Sequence, residues 1–209
     1  MSILDKLASK VGDRANAPNR MSAELCLADP SLLEEVVAAM ETKDMRLLGD
    51  CAEVMTMVAE ENPALVAPYA KAIKALLSHK NGRVRWEATH AMALIAGTTP
   101  KEIAPLLPSL AETIRHDASV IVRDYAVDMA GNYAGTGGRA AKDAYPILKE
   151  ALTLWDGKHA ARALSGLGNV AGKCPDLAGE IAGFAGGFAE SPKASVRTAA
   201  RRLLKKLQG

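Results

Sequence analysis

The sequence predicts an all-α fold, a solenoid of about five stacked helix pairs behind a short helical cap. Three observations carry this. The stretch Gly82 to Gly97, GRVRWEATHAMALIAG, recurs thirty-eight residues on as VIVRDYAVDMAGNYAG, setting Val84-Arg85 against Val122-Arg123, Ala88 against Ala126 and Gly97 against Gly135. The same opening returns at Val196-Arg197 and Ala200, and an eroded copy precedes it as Leu47-Leu48, Cys51 and Val58-Ala59. A fixed period of this length marks units that cannot bury their apolar faces alone. Of 209 residues, 49% are hydrophobic but only 4% aromatic. A core of Ala, Leu, Val, Ile and Met favours helix on helix over sheet. Within the recurring stretch, Val84, Ala88, Ala91, Met92 and Ile95 fall on one face of a 3.6-residue period.

Residues 1–28 read as the cap. Ile3, Leu4, Leu7 and Val11 sit at helical spacing, ANAPN at 15–19 is a break, and Met21, Leu25 and Leu27 carry a second helical pattern. The first repeat spans 29–63. Asp29 and Pro30 suit an N-cap and a first helical position; Leu32, Leu33, Val36, Val37 and Met40 follow on the first helix. Thr42-Lys43-Asp44 turns, Met45 to Glu60 forms the second helix, and Asn62-Pro63 stops it. Repeat two, 64–100, turns at Asn81-Gly82, and repeat three, 101–138, at Asp117-Ala118-Ser119. Pro68 and Pro105 occupy equivalent places near the starts of their first helices, whereas Pro108 and Pro146 lie further in and are expected to bend theirs. Repeat four, 139–175, turns at Asp156-Gly157, and repeat five covers 176–209.

Two glycine patterns invite other readings. Thr136-Gly137-Gly138 lacks the strand and the Gly-Lys-Ser/Thr of a phosphate loop and reads as a flexible turn, and SGLGNVAG lies inside a helix-period segment at the place the repeat predicts. Gly179, Gly183 and Gly187, spaced four apart, are expected to let one helix backbone approach its neighbour. Each costs about 1 kcal/mol of helix propensity.

The net charge of +2 argues against a chain that coats nucleic acid. It conceals a polarity: residues 29–63 hold nine acids against Lys43 and Arg46, and residues 193–209 hold six bases and no acid. Three scattered cysteines, Cys26, Cys51 and Cys174, show no metal-ligand spacing and read as core thiols of a reducing compartment. With no apolar run of spanning length and no signal-peptide pattern, the expected location is cytoplasmic.

A first helix, a short polar turn, then Val-Arg-x-x-Ala opening a second helix resembles HEAT and HEAT-like repeats, over about 29–209. The resemblance implies a right-handed α-α superhelix with second helices lining a concave surface. It also implies a ladder of turn residues (Asp44, Asn81, Asp117, Asp156) and arginines (Arg85, Arg123, Arg197), with His159-Ala160 departing from Val-Arg in repeat four. The candidate binding residues on that surface are Asp50, Glu53, Trp86, Glu87, His90, Asp124, Tyr125, Asp128 and Arg162. Trp86 and Tyr125 read either as an interaction hot spot or as edge caps of the core. Arg201, Arg202, Lys205 and Lys206 read either as a solvated end cap or as contacts to an anionic partner.

No catalytic constellation, cofactor motif or metal site is read from the sequence. The expected function is a non-enzymatic scaffold that binds another protein or a peptide, as a monomer or weak homo-oligomer. Two alternatives come from the same resemblance. One is nucleic-acid binding like that of DNA alkylation-repair glycosylases, which Asp50, Glu53, Glu87 and Asp128 oppose electrostatically. The other is a bilin-lyase-like activity, supported only by the shared repeat.

Overall fold

A computed structural model describes residues 2–13 and 15–208; Met1, Arg14 and Gly209, at the ends of the N-terminal pattern and of the last repeat, lie outside it. Every regular element among the described residues is helical. The chain divides into two compact units, Met1–Thr99 and Pro100–Gly209.

The first unit opens with a 3-10 turn at Leu4–Lys6, α1 (Ala8–Val11) and α2 (Ala17–Ala28). Then come α3 (Leu32–Ala38), α4 (Met45–Glu61), α5 (Pro63–Val66), α6 (Ala70–Lys74) and α7 (Gly82–Ile95). The two long second helices, α4 and α7, pack on each other, and α2 covers the other side of α4. Val84, Ala88, Ala91, Met92 and Ile95 are all buried, with Val54, Met55 and Val58 of α4.

The cap departs from its expected pattern. Ile3 and Leu7 are buried, but the chain becomes extended at Leu7, so Val11 falls outside the core and is 54% exposed. On α2 the inward face is Asn19, Ser22, Ala23 and Cys26, while Met21 and Leu25 face outward. Small side chains bring α2 close to α4, and Asn19 tolerates full burial because its NH2 donates to Asp50 and Glu53 and its oxygen accepts from Ala8 N.

The turns are held by side-chain caps. Asp44 and Asn81 each cap their second helix by accepting from two backbone amides. Asp29 accepts from Ser31 N at 3.1 Å, although regular helix begins only at Leu32. Pro68 breaks its first helix into a 3-10 turn at Ala67–Tyr69, since a proline cannot supply the N–H of the α ladder.

The second unit repeats that break. α8 (Pro100–Ile103) passes through a 3-10 turn at Ala104–Leu106, containing Pro105, into α9 (Leu107–His116). Pro108 therefore stands in the first turn of a new helix, where its missing N–H costs little, and does not lie further in as expected. Next come α10 (Val120–Ala134) and α11 (Gly138–Ala151), with Pro146 inside the latter. The single turn α12 (Leu154–Gly157), α13 (Ala160–Lys173), α14 (Ala178–Phe188) and α15 (Ala194–Gln208) complete it. Second helices α10, α13 and α15 succeed one another, with α13 packed on both neighbours. Each recurring arginine closes its own turn: Arg85 donates to His79 O at 2.8 Å, Arg197 to Ser191 O at 2.6 Å, and Arg123 to Asp117 O.

The turn at Asp156-Gly157 is left-handed. Trp155, Asp156 and Gly157 have φ of 53°, 54° and 66°. Two non-glycine residues there cost about 1–2 kcal/mol each. Trp155 Nε1 donates to Ile114 O at 3.0 Å, and the Arg123 guanidinium lies 3.8 Å from its ring centroid.

Close backbone approach occurs, but not at the predicted glycines. Gly179, Gly183 and Gly187 face open space; instead a Cβ at Gly131 would meet Gly166 Cα at 2.8 Å, and one at Gly166 would meet Gly131 Cα at 2.9 Å. The α10–α13 crossing leaves no room for a methyl group. Gly131→Ala or Gly166→Ala should therefore lower stability by about 1–3 kcal/mol in urea unfolding. Gly183→Ala should raise it by a few tenths to about 1 kcal/mol. Equal effects at the three positions would contradict the crossing.

The three cysteines are buried, and burial pushes the Cys26 thiol up to about 11 and the Cys51 thiol up to about 12. A disulfide-exchange reagent at about pH 8 should leave both unmodified in the native protein and react with both after denaturation.

Candidate functional site

The predicted residues fall on the second helices of both units. In the first unit Asp50 and Glu53, one turn apart on α4, share donors. Asn19 Nδ2 lies 3.0 Å from Asp50 Oδ1 and 2.6 Å from Glu53 Oε2. Arg83 Nη2 of α7 bonds the same two oxygens at 2.9 and 2.8 Å. Ser9 N donates to Asp50 Oδ2 at 2.7 Å, and Asn19 Oδ1 accepts from Ala8 N. Burial acts to raise the Asp50 carboxyl, but these hydrogen bonds outweigh it and hold the group below the usual carboxylate range. Asp50 is 2% exposed and shares the single cation Arg83 with Glu53, so the acidic face expected here is withdrawn from solvent and partly neutralised.

Glu87 is also buried, and desolvation raises its carboxyl above the usual range despite a 2.5 Å hydrogen bond from Trp86 Nε1. Its backbone carbonyl lies 3.1 Å from Thr56 Oγ1 of α4. His90 stands 3.8 Å from Glu60. Trp86 is half-buried and lines a cleft of about 640 Å³ together with Ser9, Arg46, Asp50, Glu53 and Arg83.

In the second unit Asp124, Tyr125, Asp128 and Arg162 come together. Arg162 of α13 pairs with Asp128 and, at 3.3 Å, with Asp124 of α10, and its guanidinium lies 5.5 Å from the Tyr125 ring. Burial raises the Asp128 carboxyl, opposed by Arg162 and reinforced by Asp124. His159, absent from the sequence-derived set, is 1% exposed between Arg123 Nε at 3.2 Å and Asp124 Oδ1 at 2.7 Å. A guanidinium only donates, so Nε2 must accept and Nδ1 must carry the proton: the ring is the neutral Nδ1–H tautomer. Its signal in the sequence was the departure from Val-Arg at 159–160.

Residues Asn169 and Lys206 stand thirty-seven positions apart on α13 and α15. Asn169 donates to Gly131 O at 2.9 Å, and Lys206 to Gly168 O at 3.2 Å. Each ties its helix to the backbone of the preceding second helix. Arg201 pairs with Glu190 at 2.7 Å, whereas Arg202 and Lys205 have no hydrogen bond or ion pair among the described residues. A second cleft of about 640 Å³ runs between α13 and α15. Among the described residues no three His, Cys, Asp or Glu side chains gather to hold a metal ion, and no helix is long and apolar enough to cross a membrane.

The arrangement of paired helices has clear structural relatives. A designed armadillo repeat protein in complex with a (KR)4 peptide superposes with a TM-score of 0.74 at 16% identity, covering 98% of each chain. Computationally designed armadillo repeat proteins for modular peptide recognition give 0.72 at 15%, again over 98% of each. An engineered protein gives 0.72 at 18%, over 100% of this chain and 97% of that one. The fold is a HEAT/armadillo-like helical-repeat solenoid. No family model and no curated protein matches the sequence. Within this solenoid, charged groups of α4 and α10 are answered by Arg83 and Arg162 from the next second helix in the same unit.

The two shifted carboxyls in the first unit should act oppositely on stability. Asp50, held low, stabilises above the unfolded carboxylate range and loses that contribution as pH falls through its folded value. Glu87, held high, stabilises below that range and loses the contribution as pH rises through its folded value. Thermal melts should thus show Asp50→Asn less stable and Glu87→Gln more stable than wild type at neutral pH. The Glu87→Gln difference should shrink as pH falls through the raised folded value and be gone by about pH 4, whereas the Asp50→Asn difference should shrink only below about pH 4. The same sign for both variants at neutral pH would refute the assignment.

Proposed function

We propose that this chain is a non-enzymatic binding protein whose second-helix faces engage another protein or a peptide segment. The observation that carries the reading is the cleft between α13 and α15. It runs along two successive second helices, and small side chains leave its walls open to an extended chain. The half-buried rings of Trp86 and Tyr125 add large, rigid contact area to the faces of α7 and α10. The peptide complex formed by a designed protein of the same fold supports the reading. The acidic residues Asp50, Glu53, Glu87, Asp124 and Asp128 and the basic Arg162 hold these faces in shape through the pairs described above. His90 lies beside them on α7.

Capture from native lysate with immobilised wild type, Trp86→Ala and Tyr125→Ala tests this. Because Trp86 also bonds Glu87, circular dichroism and a melting curve accompany each variant. The expected result is a protein partner held by wild type and weakened about tenfold or more by at least one variant that keeps its helicity. Unchanged capture by both variants would remove these faces from the binding surface, and recovery of nucleic acid alone would favour the rival reading.

A further inference from the structure

We propose that the cleft between α13 and α15 takes an acidic, extended peptide segment, with a partner carboxylate on Arg202; this rests on the peptide-binding reading above. The reason lies in what the helix contacts supply and what this one lacks. At the α4–α7 contact, Arg83 of the later helix meets Asp50 and Glu53 of the earlier one. At the α10–α13 contact, Arg162 meets Asp124 and Asp128. At the α13–α15 contact the later helix again brings cations, Arg202 and Lys206, but α13 contributes no carboxylate.

Of the cations lining the cleft, Arg162 is already met by Asp128 and Asp124, which leaves Arg202 and Lys206 with no carboxylate of their own. Lys206 is satisfied by the neutral Gly168 carbonyl, so its charge is not cancelled. Arg202 is exposed, with no hydrogen bond or ion pair among the described residues. No acid occurs from 191 to the end of the sequence, and Glu190 is occupied by Arg201. The missing anion must come from outside the cleft's own lining.

The shape selects an extended chain. The lining is made of small side chains, Ala161 and Gly168 from α13 and Ala194 and Ala199 from α15, together with the buried Leu164 and Leu203. A volume of about 640 Å³ accommodates a short run of residues with small side chains. Arg202 and Lys206 lie one turn apart, a rise of about 6 Å. Alternate residues of an extended peptide are about 6.6 Å apart. An acid-x-acid pattern therefore meets both cations with its acids on one side, while the intervening small residues face the other wall. The peptide in the designed armadillo complex, (KR)4, has the opposite charge. The two proteins share a fold and are expected to differ in the sign of what they bind.

Fluorescence anisotropy with labelled (EA)4, (KA)4 and (KR)4 peptides at low salt tests the inference. Wild type should bind (EA)4 most tightly, and Arg202→Glu should weaken it about tenfold or more. Lys205→Glu changes the charge equally on the same helix but lies outside the cleft, and should cost less than about threefold. Equal losses in the two variants would mean unspecific attraction and would overturn the proposal. Preference for (KA)4 or (KR)4 would overturn it while leaving peptide binding intact. Failure of all three peptides would also overturn it, the wider reading then standing or falling on the Trp86 and Tyr125 captures. Duplex DNA bound with the same sensitivity to Arg202→Glu, without (EA)4 binding, would assign the cations to phosphate and overturn it too.

Discussion

A carboxylate taken out of water is stable only where donors replace its hydration, and that constraint governs how the second helices meet. Asp50 is almost fully buried because α1, α2 and α7 each send it a donor: the Ser9 amide, the Asn19 side chain and Arg83. The same requirement explains the cap. Asn19 occupies the inward face of α2, and Met21 is turned out, because Asp50 and Glu53 need an amide there more than the core needs a thioether. Apolar packing alone would have oriented α2 the other way. In the second unit Arg162 takes the place of Arg83, and the small Gly131–Gly166 crossing brings its helix close enough to reach both aspartates.

Much of this was legible in the sequence, because helix period, caps and breakers act locally. The second helices begin directly after the expected turns at Asp44 and Asn81, and the recurring Val-Arg positions close their turns. The prolines at 68 and 105 break both first helices in the same way. What depended on distant partners was not legible. The glycines at 179, 183 and 187 formed the more regular row, yet the close approach is at Gly131 and Gly166, because that depends on which helix lies opposite. The role of Trp155 was not legible, since a left-handed turn at two non-glycine residues has no local sequence signature.

That turn and His159 form one assembly. Arg123 donates to the Asp117 carbonyl, reaches His159 with Nε and stacks under Trp155. His159 passes the contact on to Asp124, which also holds Arg162. The irregular helix pair thus replaces a repeated arginine with an aromatic and an imidazole, keeping the link between the turn and the second-helix face. The strain at Trp155 and Asp156 is tolerated because Ile114 and Lys193 anchor the turn from both sides.

Charge counted along the sequence misleads about charge presented to a partner. Of the nine acids between 29 and 63, Asp29 and Asp44 serve local turns, and Glu35 holds the Ile3 amide at 3.2 Å. Asp50 and Glu53 belong to Arg83 and Asn19. The two acids of α4 that meet Arg83 are therefore largely spent, while Asp29, Glu34, Glu41, Asp44, Glu60 and Glu61 remain exposed and keep their charge. The basic C-terminal helix loses less. Arg201 is answered by Glu190, but Arg202 and Lys205 keep their charge, and Lys206 spends its hydrogen bond on a neutral carbonyl. Arg83 takes up Asp50 and Glu53, Arg162 takes up Asp124 and Asp128, and no acid of α13 or α15 takes up Arg202. On the acidic-peptide proposal it is therefore the unmatched cations of the α13–α15 contact, not the composition of the whole, that set the sign of the partner.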